Sequence, residues 1–201
     1  MVRDENPLKK TIKIEMKGMT LYMKATGIVR RIDDLGRVVI PKEIRRTMRI
    51  REGDPLEIYT NTDGEVIFKK YSAISEMSEN AASVSEIMNK IAGCPVVIFD
   101  RDHVVASAGV SKKEFSERRV SPELEELMET RGQYYSTGDG KRWLGAEGVE
   151  KAAMAALPII SSGDVTGAVV FLETEDNTVV SDLQKSLINA AAQFLGKQVE
   201  G

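Results

Sequence analysis

The sequence has one cysteine (Cys94), one histidine (His103) and one tryptophan (Trp143). A lone cysteine excludes an intrachain disulfide framework and fits a reducing compartment. No His, Cys and carboxylate cluster has the spacing of a metal site, so no metal and no cofactor is expected. No apolar run approaches the roughly 18 residues a membrane span needs, and the N-terminal lysines precede no apolar core of a secretory signal. No membrane partner is expected, and the chain is placed in the cytoplasm. Gly140-Lys141 is followed by Arg142 rather than Ser or Thr, so it is not a phosphate-binding loop. Cys94 and His103 could act as nucleophile and base only if the fold joined them. Cys94, between a helix stop and an apolar strand, reads as a small core filler, and His103 reads as a surface residue at a turn. No catalytic residue is expected.

What is present is a charge asymmetry. Between Lys24 and Arg51 there are nine Lys or Arg against three acids, a net of +6. From Tyr71 to Gly201 there are 12 basic and 20 acidic residues, a net of −8. Such a contrast within one chain points to a basic binding module joined to something else. The charge count leaves a solvated face equally open. The basic segment contains no aromatic residue, which disfavours RNA or single-strand modes built on stacking platforms.

Four pieces follow along the chain. Residues 1–22 read as a mostly disordered leader, or as sequence upstream of a real start at Met23, with weak alternation at Thr11-Ile12-Lys13-Ile14. Residues 23–71 read as strand, strand, short helix, strand, strand. Ala25 to Ile32 alternates, Asp33-Asp34-Leu35-Gly36 is a turn, and Arg37 to Ile40 is a strand stopped by Pro41. Lys42 to Met48 forms a short helix. Leu56, Ile58 and Thr60 alternate into a hairpin at Asp63-Gly64, and Val66 to Lys70 returns. About 50 residues without metal or disulfide bury too little apolar surface to be comfortable alone, so this piece is expected to complete its core from a second copy. Residues 72–91 read as a linking helix, because Ile74, Met77, Ala81, Val84, Met88 and Ile91 fall at heptad spacing, a pattern that favours self-association over intradomain core. Residues 92–201 read as an α+β domain with an antiparallel sheet. Its strands are Val96–Phe99, His103–Ala106, Ala152–Ile160 and Val165–Glu173. One helix is opened by Ser121-Pro122, and a last one carries Leu183, Leu187, Ala190 and Phe194 on its apolar face.

The residues from Met23-Lys24-Ala25-Thr26-Gly27-Ile28-Val29-Arg30-Arg31-Ile32-Asp33 through Leu35-Gly36-Arg37-Val38-Val39-Ile40-Pro41 to Glu43-Ile44-Arg45-Arg46 closely resemble the AbrB-type swapped-hairpin DNA-binding domain. The match runs nearly gap-free from Met23 to about Tyr71, and the segment before Met23 departs from it. The downstream piece resembles a GAF-type sensor domain more diffusely, on its element order and on Leu157-Pro158-Ile159-Ile160 with Gly163-Asp164-Val165-Thr166-Gly167. The two in this order resemble regulators of late spore development in Bacillus-type bacteria. The resemblance implies a regulator, activator and repressor, of late sporulation genes in the forespore. It implies partners of two kinds, double-stranded DNA and further copies of the chain, as a dimer of interleaved hairpins paired into a tetramer. It carries DNA contact onto Arg30, Arg37, Arg45 and Arg46, and with weaker motif support onto Arg31 and Lys24. The glycine-rich stretch Gly132 to Gly148 and the helix before it read equally as the lining of a pocket for an unidentified small-molecule effector, as in sensor domains, and as a plain surface loop, with Arg142, Trp143 and Tyr135 as weak candidates for the pocket.

Arginine suits the task because its planar fork bonds phosphate oxygens or guanine O6 and N7 in pairs. With no recognition helix of helix-turn-helix length, readout should lean on DNA shape, giving degenerate target sites. Two other functions compete. An antitoxin-like partner-binding protein shares the N-terminal pattern but usually ends in a short disordered acidic tail, unlike the structured pattern here. A GAF-type small-molecule-binding protein would make DNA binding secondary.

Overall fold

A computed structural model describes residues 26–140 and 142–200, together with the backbone of 11–16 and 19–24. The chain forms two compact units, Met1–Pro55 and Leu56–Gly201.

In the first unit, β1 (Thr11–Met16) pairs antiparallel with β2 (Met19–Lys24), from Thr11 opposite Lys24 to Met16 opposite Met19. The expectation of a structureless leader is therefore corrected from Thr11 onward. Ile12 and Ile14 alternate with polar residues, as do Leu21 and Met23, which is the pattern of a strand pair. Residues 1–10 lie outside the described residues. The strands expected at 25–32 and 37–40 are corrected too. Residues 26–32 and 37–40 carry no strand pairing, although the turn between them is in place. A strand exists only by pairing, and one copy of this segment offers no partner ladder. Helix α1 spans Lys42–Thr47, and Pro41 precedes it at φ −58.

The second unit opens with a ribbon, β3 (Leu56–Thr60) against β4 (Val66–Lys70). Asn61 shapes its loop, accepting from the backbone N–H groups of Asp63 and Glu65 at 3.1 and 2.9 Å. The expected linking helix is two pieces, α2 (Ala73–Glu76) and α3 (Ser78–Ala92), broken at Met77. It is not a linker. Ile74, Ala81 and Val84 are buried in this unit's own core, so most of the heptad stripe is intradomain packing, and Ile91 is the exposed exception.

Five strands form one antiparallel sheet: β5 (Val96–Asp100), β6 (Val104–Ala108), β7 (Tyr134–Tyr135), β8 (Ala153–Ser161) and β9 (Asp164–Leu172), in the order β6-β5-β9-β8-β7. Helix α6 (Asp182–Val199) covers one face with α2 and α3. On the other face lie α4 (Lys112–Phe115), α5 (Pro122–Thr130) and the irregular stretch after them. The alternation is regular on β5 and β9, while a bulge in β8 puts both Met154 and Ala155 on the α6 side. Val96 and Ile98 point to the α6 side, while Val97 and Phe99 point to the α5 side. Both faces are covered, which is why β5 and β9 read as unbroken apolar runs.

The helix ends follow their chemistry. Ser121 caps α5 by accepting from the Leu124 N–H at 3.0 Å, with Pro122 at the first helical position. Ser181 and Gln184 make a reciprocal capping box on α6. Gln184 also donates to the Ala92 carbonyl at 2.9 Å, tying α6 to the end of α3. The apolar face expected on α6 is corrected. Leu183 and Phe194 are exposed, and the buried side carries Ile188, Ala191, Ala192 and Leu195.

Candidate nucleic-acid interface

The basic segment is organised by one turn and one short helix. At the turn, Asp33 is the hub. Its N–H donates to the Arg37 carbonyl and its carbonyl accepts from the Gly36 N–H, both at 3.0 Å. Asp33 Oδ1 accepts from the N–H of Leu35 at 3.1 Å and of Arg37 at 2.7 Å, and Oδ2 accepts from Arg37 Nε at 2.8 Å. The Arg37 N–H, and then its guanidinium, hold the Asp33 carboxyl below the usual carboxylate range. Gly36 takes φ +76 with open space where a Cβ would stand, so its backbone freedom alone closes the turn. The Arg37 side chain, 67% exposed, is thus oriented through Nε while the rest of its fork faces solvent.

Arg30 and Arg31, on the approach to the turn, are exposed. Lys24 sits in β2 opposite Thr11, and its side chain lies outside the described residues. On α1, Arg46 is exposed and Arg45 half-buried. Arg45 Nε is buried with no hydrogen-bond partner among the described residues. An unsatisfied donor costs about 1–3 kcal/mol, a cost that an acceptor brought by DNA or by a second chain would remove.

Sequence reasoning counted Arg49 without assigning it. The helix closes with Arg49 N–H on the Arg46 carbonyl at 3.3 Å and Ile50 N–H on the Arg45 carbonyl at 2.8 Å. This is the double closure that normally uses glycine, yet Arg49 takes φ +51 itself. The signal available in sequence was a helix end without Gly or Asn. An arginine at a position where glycine is favoured makes Arg49 a further candidate contact.

The alternative centres do not assemble. Cys94 precedes β5 and His103 follows it, so the strand's length, about 16 Å, separates them. Cys94 is 1% exposed, and burial pushes its thiol up to about 11. Trp143 stacks on Tyr134 with ring centroids 4.8 Å apart and packs on the α5 face, whereas Tyr135 packs on the α6 face. Arg142 reaches the carboxylate and carbonyl of Glu150. The three effector candidates therefore share no pocket. The α5 face is filled by Phe99, Phe115, Leu124 and Met128. An open groove of about 540 Å³ lies elsewhere, lined by Arg131, Gln133, Leu157, Pro158, Asn189 and Gln193 among others.

Residues 76–200 match the family described as Stage V sporulation protein T C-terminal, transcription factor. Residues 29–74 match the family described as Antidote-toxin recognition MazE, bacterial antitoxin. The chain is 46% identical over 180 residues to stage V sporulation protein T of Bacillus subtilis, covering 89% of this chain and 99% of that protein. It is 47% identical over 78 residues to the transition state regulatory protein AbrB of the same organism, covering 39% of this chain and 79% of that one. Among solved structures it is similar to a GAF domain/HD domain protein from Geobacter sulfurreducens, at 19% identity and a TM-score of 0.48, over 64% of this chain and 96% of that one.

Proposed function

The chain belongs to the stage V sporulation protein T family of transcription factors, and from that membership we propose how its parts divide the work. Duplex DNA is gripped by Arg30, Arg37, Arg45 and Arg46, with Arg31 and Lys24 beside them, and the C-terminal domain tunes that grip without a catalytic step. The reading includes both activation and repression of late sporulation genes in the forespore.

One observation carries it. The segment that holds the arginines also exposes Val29 (87%), Val39 (72%), Ile32 (70%) and Leu35 (69%). Burying each such side chain would stabilise by about 1.5–3 kcal/mol. The missing strand partners and the missing cover have the same remedy, a second copy whose hairpin interleaves with the first. The resulting dimer doubles the arginines, and self-association through the C-terminal domain makes it a tetramer. A small-molecule effector has room in the groove at Arg131 rather than on the filled α5 face. The antitoxin reading is favoured less, because Leu56–Gly201 is a compact folded unit rather than a short tail.

The test is a mobility-shift titration of Arg37→Ala and Arg45→Ala on duplex DNA. Each should weaken binding about tenfold or more, in line with roughly 1–3 kcal/mol per arginine contact. If all eight arginines of a dimer neutralised phosphates, the slope of log K against log salt would reach about −7. Undiminished duplex binding by both variants overturns the assignment.

A further inference from the structure

The C-terminal unit carries a basic strip that the DNA-binding reading above does not use. Residues 101–119 hold five Lys or Arg against three acids, a net of +2, while the rest of 71–201 holds 7 basic and 17 acidic residues, a net of −10. The fold brings this charge together near the β5–β6 turn. The chain at 118–120 runs beside the β5–β6 turn: Val104 N–H donates to the Arg118 carbonyl at 2.9 Å, Val120 N–H donates to the Asp102 carbonyl at 3.0 Å, and His103 bridges to Arg119. Arg118, Arg119, Lys112 and Lys113 are exposed. Two of the three acids are engaged by cations from outside the strip, Asp102 by Lys70 and Glu114 by Lys151 at 3.2 Å. Arg118 Nε donates to the Glu114 backbone carbonyl at 2.9 Å, so this bond orients the guanidinium without neutralising it.

Position gives the strip a partner. Lys70, bonded to Asp102, is the register partner of Leu56. Leu56 is the first residue of this unit, and the chain preceding it is the arginine-bearing segment. The chain that links this unit to the arginine-bearing segment therefore enters it near the basic turn. Exposed arginines on an otherwise acidic surface, with no aromatic or apolar groove among them, suit a phosphate backbone and carry no base readout.

We propose that Arg118 and Arg119, flanked by Arg101 and by Lys112–Lys113, form a second, sequence-independent contact surface for the phosphates of duplex DNA flanking the site gripped by the N-terminal arginines. This rests on the DNA-binding reading above. The experiment uses the full chain and two duplexes, one holding only the target site and one extended by about one helical turn on each side. The parent chain should bind the extended duplex more tightly. R118Q/R119Q should lose about tenfold on the extended duplex and nothing on the short one. Its salt slope on the extended duplex should be shallower by about 2 for each chain that engages, at 0.9 per phosphate. R118K/R119K should restore binding, and K112Q/K113Q, which leaves the Arg118 hydrogen bond intact, should show a smaller loss of the same kind. Equal binding of both duplexes by the parent, or a double variant indistinguishable from it, overturns the strip while leaving the N-terminal site standing. That result would assign the charge to solvent or to an acidic protein. Failure of the parent chain to bind either duplex overturns the DNA-binding reading and this inference with it.

Discussion

Cys94 and Asp33 show what a single side chain's surroundings decide. Cys94 sits after the αL residue Gly93, under α3, where Asn89 donates to the Cys94 carbonyl at 2.8 Å. Its type and place, a small apolar residue between a helix stop and an apolar strand, were enough to read it as core. Burial raises the thiol from 9.0 to about 11, so the native state holds its proton more tightly than the unfolded chain does. The associated stability is complete below about pH 9 and is lost as pH climbs towards 11. We expect a thiol reagent at pH 8 to label no cysteine in the native protein and one per chain in denaturant. Rapid native labelling would contradict the burial. Asp33 was visible only as a turn residue. That it also orients Arg37 depends on the turn bringing position 33 back onto position 37, a local geometry that composition does not announce.

At the scale of elements, periodicity read best where an element packs on its own unit. The strands β5, β8 and β9 and the helices α1, α5 and α6 stand near where alternation, caps and breakers put them. Gly167, noted in the sequence as part of a family phrase, gains its reason from packing: a Cβ there would lie 2.1 Å from the Phe99 carbonyl oxygen. Gly196 on α6 is the sharper case, since a Cβ there would stand 2.2 Å from the Ile160 carbonyl oxygen. Alanine is about 1 kcal/mol better than glycine inside a helix, but moving a helix off backbone atoms costs typically 1–3 kcal/mol. Gly196→Ala should therefore destabilise the protein by up to about 2 kcal/mol in a denaturant titration, and a stabilised variant would show that α6 has room to shift. The strands expected at 25–32 and 37–40 failed for a different reason. Their alternation is real, but pairing needs a ladder that a single copy does not contain.

For the whole molecule, the exposed apolar side chains among the described residues gather in three places. One is the arginine-bearing segment, and another is the β3–β4 ribbon with Ile58, Tyr59, Val66 and Phe68. The third is the outer face of α3 and α6, where Ile87 (50%), Ile91 (55%), Leu183 (61%) and Phe194 (50%) stand in solvent. Scattered apolar side chains are ordinary on a surface, whereas helices that pack on each other and expose several together are a surface for self-association. We expect Phe194→Asp, and separately Ile91→Asp, to halve the mass of the assembly measured by light scattering while leaving the helical circular dichroism intact. An unchanged mass in both would remove this face from the proposed tetramer. The division of the chain at Pro55 and Leu56 also belongs to this scale. The ribbon β3–β4, continuous in sequence with the arginines, is anchored at Lys70 on Asp102, and below it Ser75 donates to Asp100 at 3.0 Å. Neither contact, at separations of 32 and 25 residues, has a local signature.

The sequence alone determined the chemistry of this protein: an arginine-rich segment too small to bury its own apolar residues, followed by an acidic domain whose β5 and β9 had to be covered on both faces. Those properties follow from charge, period and turn residues, which act over a few positions. Only the tertiary structure decided which side of α6 is core and which faces solvent, because its sequence offers two apolar faces and the sheet can bury just one. It likewise decided that most of the heptad stripe from Ile74 closes the domain's own core, and that basic residues spread over 101–119 come together near the β5–β6 turn. Those outcomes depend on contacts between distant parts of the chain, which a periodic pattern permits but does not select.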